Sequence, residues 1–127
     1  MAITLSTAAR NAACDAITAL IDVGAGSPSE GQLIFRTSGD AEVARCIMAN
    51  PAFGAAATGV CTAGAIQDDT NAVGGTIAKF VIQDGDGNEI LNGTCGAGSG
   101  DISFNSVIVS AAQTVSVSSL TVTVPAS

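Results

Sequence analysis

Between Thr76 and Cys95 the chain reads TIAKFVIQDGDGNEILNGTC, and no other stretch constrains the fold as tightly. Ile77, Phe80, Val81 and Ile82 form a run rich in β-branched and aromatic residues. A polar break, Asp84-Gly85-Asp86-Gly87-Asn88, precedes a second apolar run at Ile90 and Leu91. Two such runs around Asp-Gly units predict a hairpin, because glycine supplies the positive φ that a tight turn between twisted strands requires.

The remaining segments extend this β-rich reading. Ile3 and Leu5 alternate with Thr4, as in a short strand or an extended arm. Ser6 stands where an N-cap belongs, and Thr7 to about Asp22 follows a helical period. Ala9, Ala13, Ala16, Ile17 and Leu20 share one face, while Asn11, Asp15, Thr18 and Asp22 share the opposite one. The expectation is an alanine-rich face packed closely on a sheet, ended by Gly24 and Gly26. Gln32 to Thr37 predicts a strand covered on both faces. Glu42 to Ala49 fits a strand or a short helix, and a strand is favoured because Asn50-Pro51 ends it abruptly beside other strands. The glycine-interrupted run from Phe53 to Ile66 predicts a strand pair with close backbone approach.

Beyond the hairpin, Gly96–Gly100 predicts a flexible connector. Ile102 and Phe104 then alternate on one parity, and Val107 and Val109 on the other. Val115 and Val117 give way in the same manner to Leu120, Val122 and Val124. Such slips predict a bulge or a crossing to another sheet. The fold expected is mainly β, an antiparallel β-sandwich with one N-terminal α-helix. It forms a single domain over residues 1–127, with arm and helix in 1–24 and sandwich in 31–125.

Reaction chemistry is hard to assemble from these residues. The chain has no histidine, which removes the usual general base. Its one lysine, Lys79, lies within a strand, where a charge that discourages edge pairing is the expected role. Cys14, Cys46, Cys61 and Cys95 are dispersed without C-x-x-C spacing, so buried thiols are expected rather than a zinc site. Asp84-x-Asp86-x-Asn88 matches the opening ligands of a calcium loop. The following glycine is replaced by Glu89, and the closing acid position falls on Cys95, so a solvated hairpin tip is the expectation. Asp68-Asp69 would add oxygen ligands only if its loop met that tip. Asn92-Gly93-Thr94 is a glycosylation sequon of no consequence without secretion. No enzyme, metal or cofactor is expected.

A net charge of −7 disfavours contact with nucleic acid or an anionic membrane. The first fifteen residues have neither a basic region nor an unbroken apolar core, so synthesis into a cytosol is expected. Without Trp or Tyr, stacking on sugars is also disfavoured.

Three stretches resemble a family of small structural proteins of tailed bacteriophages and prophages. They are ITLSTAARNAACDAITALIDVGAG at Ile3 to Gly26, NPAFGAAATGV at Asn50 to Val60, and the C-terminal part. That part comprises FVIQDGDGNEILNGTCG (Phe80 to Gly96) and TVSVSSLTVTVPA (Thr114 to Ala126). Cys46 and Cys61, near the second stretch, depart from the expected pattern. The chain is most similar to a capsid decoration, or cement, protein. That resemblance implies a compact, jelly-roll-like β-sandwich bound to the outer face of an assembled shell. It implies the major capsid protein and further copies of itself, in a dimer or trimer, as partners. The implied location is the virion exterior, with host cytoplasm during assembly. The arm Met1, Ala2, Ile3, Thr4 and Leu5 is the candidate contact, adding a strand to a neighbour's edge. The alternatives are a tail or neck component, and a sandwich that binds host glycan or calcium at the Asp84–Glu89 tip.

Overall fold

The apolar alternation resolves into one helix and nine short strands in the computed structural model, which describes residues 3–26 and 29–126. The helix α1 (Thr7–Ala19) continues into a 3-10 turn, Leu20–Asp22. The strands are β1 (Gln32–Arg36), β2 (Glu42–Ile47), β3 (Val60–Thr62), β4 (Gly75–Thr76), β5 (Lys79–Gln83), β6 (Glu89–Ala97), β7 (Ile102–Phe104), β8 (Ile108–Val109) and β9 (Thr121–Thr123). Five make one sheet in the order β2-β1-β5-β6-β7. A second layer comes from the helix and two ribbons, β3–β9 and β4–β8. The protein is mainly β and sandwich-like, with its one helix at the N-terminus.

The predicted hairpin is β5–β6, paired antiparallel from Lys79↔Thr94 to Gln83↔Glu89. It forms the middle of the sheet, because β1 pairs with the other edge of β5. Lys79 is therefore on a central strand, not at an edge, and its amine pairs with Asp40 at 2.6 Å. Register puts Cys46, Leu33, Ile82 and Leu91 in one row and Ala44, Phe35, Phe80 and Gly93 in the next. Both rows face the core, where Phe35 meets Phe104 edge-on with ring centroids 5.2 Å apart. The alternate row, Arg45–Ile34–Val81–Asn92, lies on the other face. Ile34 and Val81 are buried there in the same row as Arg45, whose guanidinium bonds Gln32 and Glu42 along the sheet.

The hairpin tip is solvated over Asp86 to Glu89, as expected, but its base is docked. Asp84 is buried, and the Gly85 amide donates to Val23 O at 2.8 Å. The Ala25 amide donates to Asp86 Oδ1 at 2.9 Å. A Cβ at Gly85 would strike Ser29 Oγ, so only glycine permits this approach.

Both parity slips mark places where the chain leaves a sheet. β7 belongs to the main sheet and β8 to the ribbon with β4, while Val115 bridges to Asp69 before β9 joins β3. The Gly96–Gly100 segment is not a slack connector. It turns the chain completely, so that β7 runs parallel to β6 with Cys95 opposite Ile102. Parallel neighbours ordinarily need a crossover of a dozen residues. Here positive φ at Gly98 and Gly100 substitutes for one, and the Asp101 amide closes the loop onto Thr94 O at 2.9 Å. The Phe53–Ile66 run contributes β3, with isolated bridges Phe53↔Ala63 and Ala57↔Val60 in place of a full partner strand.

Candidate interaction surface

The helix faces the opposite way from the alanine-packing expectation. Ser6 caps it as predicted, accepting from the Ala9 amide at 3.1 Å. Its inward side, however, carries Arg10, Asn11, Cys14, Thr18 and Ile21, with Cys14 and Ile21 fully buried. Ala9, Ala16, Ile17 and Leu20 face outward, and Ala13 is half-buried.

The loops beneath the helix explain the reversal. Residues 52–59 have few ladder partners, and their amides need acceptors. Asp22 Oδ1 accepts from Ala52 N at 2.8 Å, Asp15 Oδ1 from Ala56 N at 2.8 Å, and Asn11 Oδ1 from Gly59 N at 2.7 Å. Arg10 Nε donates to Val124 O at 2.8 Å, lying where a Cβ on Gly59 would have to be. An amide left unpaired at the part-buried Ala52 and Gly59 positions costs up to about 1–3 kcal/mol, and less at the exposed Ala56. Burying one methyl-sized group returns about 0.8 kcal/mol. The polar stripe therefore outweighs the alanines. The helical period separates the two stripes but gives no signal of the amides at 52–59 that turn the polar one inward.

The outward side of α1 carries no cation, and its acid, Asp15, is turned to the loop. Ile17 is 37% exposed, Leu20 53% and, just past the helix, Val23 55%. At its other end Leu5 is 39% and Ile3 80% exposed. Five of the seven large exposed apolar residues among those described thus lie between Ile3 and Val23. The other two, Val73 and Ile108, lie just before β4 and in β8.

Of the candidate arm, Met1 and Ala2 fall outside the described residues. Ile3, Thr4 and Leu5 are exposed and belong to no strand. The Leu5 amide donates to Ala126 O at 2.7 Å, which ties the base of the arm to the C-terminal segment.

The other polar clusters are engaged internally. Asp84 Oδ1 accepts from the Asp86 and Asn88 amides, each at 2.9 Å, and its Oδ2 from Asn88 Nδ2 at 3.2 Å. The bonds from Asn88 hold this carboxyl below its ordinary value against the opposing effect of burial. Asp69 accepts from the Arg45 and Asn71 amides at 2.8 and 2.9 Å, which fastens its loop to β2. Lys79, the main partner of Asp40, likewise lowers that carboxyl. No group of three or more His, Cys, Asp or Glu side chains among the described residues is placed to hold a metal ion. No described helix is long and apolar enough to cross a membrane.

Burial pushes the thiols up: Cys46 to about 11, Cys61 to about 12 and Cys95 to about 11. A hydroxyl-rich hollow of about 320 Å³ opens between Asp101–Phe104 and Ser116–Ser119. Its one carboxylate, Asp101, is taken by the Thr94 amide at 2.9 Å and hydroxyl at 3.2 Å.

Compared with protein families, curated proteins and solved structures, the chain matches none.

Proposed function

We propose that this chain is a structural virion protein that binds the outer surface of a tailed-phage capsid and stabilises the shell by bridging capsomers. The single observation that carries the adhesive role is the outward apolar side of α1, continuous in sequence with the exposed arm. Leaving Leu20 or Ile17 in water forgoes part of the 1.5–3 kcal/mol, roughly, that full burial of such a side chain returns. A partner that covers them recovers it. The phage assignment is supported by the three stretches of resemblance, which are spread along the chain from Ile3 to Ala126.

The physics of shell binding fits a protein of this kind. A ligand that binds the mature lattice stabilises it by mass action, without any bond being made or broken. Many copies acting together do not each need a strong anchor. Ile17, Leu20 and the arm residues Met1 to Leu5 would meet the major capsid protein or a second copy. Net acidity keeps the rest of the surface soluble and away from packaged DNA.

The test is to incubate purified protein with bare shells of the major capsid protein and locate the added density. Density over the outer surface, in copies comparable with the capsid subunits, supports the reading. A few copies at one vertex would instead indicate a neck or tail component, and shells without added density would reject surface decoration.

A further inference from the structure

The core contains a thiol pair that the interaction surface does not use. Cys14 on α1 and Cys61 on β3 are both completely buried, although far apart in sequence. Thr18 Oγ1 donates to Cys14 O at 3.0 Å and lies 3.8 Å from Cys61 Sγ, placing Cys61 against the helical turn that holds Cys14. Val122 joins them from the other side. Its carbonyl accepts from Cys14 Sγ at 3.3 Å, and it is the register partner of Cys61 on β9. The Cys61 thiol donates at 3.6 Å to Oδ1 of Asp15, the residue next to Cys14. Cys46 is turned elsewhere, toward Val115 O at 3.7 Å, and Cys95 lies half-buried at the β6–β7 edge.

We propose that Cys14 and Cys61 form a disulfide once the protein leaves a reducing compartment, stapling α1 to the β3–β9 ribbon. With glutathione disulfide as oxidant, one protein thiolate attacks it, forming a mixed disulfide and releasing a glutathione thiolate. The second protein thiolate attacks the protein sulfur of that intermediate and releases the other glutathione. Two electrons pass from the cysteines to glutathione disulfide, and the two thiol protons end on two glutathione molecules. In a cytosol the glutathione pool holds the pair reduced. Both sulfurs are shielded, so oxidant reaches them only when α1 lifts from the ribbon. Cys14 faces inward, and the outward side of the helix is left unchanged. This inference rests on the core alone, whatever the surface binds.

The experiment treats wild-type protein with glutathione disulfide at a denaturant concentration just below the unfolding transition, removes the denaturant and blocks remaining thiols. Cleavage at Arg10, Arg36, Arg45 and Lys79 separates the peptide with Cys14 from the one with Cys46 and Cys61. The expected product joins those two peptides, with the loss of two hydrogens. Fragment sequencing places the bond on Cys61, and Cys46→Ser, if it folds, gives the same product. The oxidised protein should melt higher by roughly 10 °C, reversibly with reductant. Four free thiols, a bond to Cys46 or Cys95, or glutathione retained on Cys14 or Cys61 without closure would each overturn the proposal.

Discussion

The Ala56 amide donates to the Asp15 carboxylate across 2.8 Å, from a loop to a helix. With the parallel bonds to Asn11 and Asp22, it turns the polar stripe of α1 inward and leaves the aliphatic stripe outside.

Replacing the inward acceptors should destabilise the fold although they read as surface residues. Asn11→Ala and Asp22→Ala are each expected to cost about 1–2 kcal/mol, because each strands a backbone donor. Ala16→Glu, on the outer side, should stay within about 0.5 kcal/mol of wild type. Urea unfolding monitored by circular dichroism measures all three. A helix packed the other way round would reverse the order.

Charging the outward side should separate binding from stability. Ile17→Asp and Leu20→Lys should melt near wild type yet lose roughly tenfold or more in affinity for bare shells, since a buried leucine is worth about 1.5–3 kcal/mol. Co-sedimentation with shells gives the readout. Deleting Met1 to Thr4 tests the arm separately, and unchanged sedimentation would remove it from the interface.

Gly93 sits opposite Phe80 in the central hairpin, and an added Cβ would come within 2.5 Å of the Phe80 ring. Gly93→Ala should therefore overpack the sheet by about 1–3 kcal/mol. Thermal unfolding of the variant alone and with Phe80→Leu tests this, the second change relieving part of the loss.

Asp84, together with Asp40, contributes to the acid limb of stability. The Asp84 carboxyl is held below the ordinary 3.8 by the hydrogen bonds from Asn88 foremost, so the unfolded chain takes up the proton first as pH falls. Its contribution is complete above the ordinary value and disappears as pH drops through the lower folded one. Asp84→Asn should lower the melting temperature at pH 7 and flatten its decline below pH 4.

The thiols act at the other end of the scale. Cys46 and Cys95 at about 11 and Cys61 at about 12 hold their protons longer in the folded state than at the ordinary 9.0. The unfolded chain loses them first as pH rises. Their contribution to stability is thus complete below pH 9 and is lost toward pH 11–12. Native protein at pH 7.5 should resist iodoacetamide at Cys46 and Cys61, and labelling should follow unfolding when denaturant is added.

Much of the local structure was legible in the residues themselves. Asp-Gly units at 84–87 demand a turn, Ser6 caps the helix it precedes, and the parity slips at 104–107 and 117–120 mark departures from a sheet. These features act over a few bonds, through allowed φ values, side-chain alternation and a hydroxyl within reach of an amide. Sequence also determined that no histidine is present to act as a base.

Tertiary structure alone decided which face of α1 is inside, where Cys14 meets Cys61, and that Gly96–Gly100 turns the chain fully to lay β7 parallel to β6. In each case the deciding partner is distant along the chain or set by the path of a neighbouring strand. Helical period separates the alanine stripe from the Asn11–Asp22 stripe, but it carries no information about amides near residues 52–59 that lack acceptors. Once the loop beneath the helix presents those donors, the energy of pairing them exceeds that of burying a row of methyl groups. The same balance leaves Ile17 and Leu20 facing water.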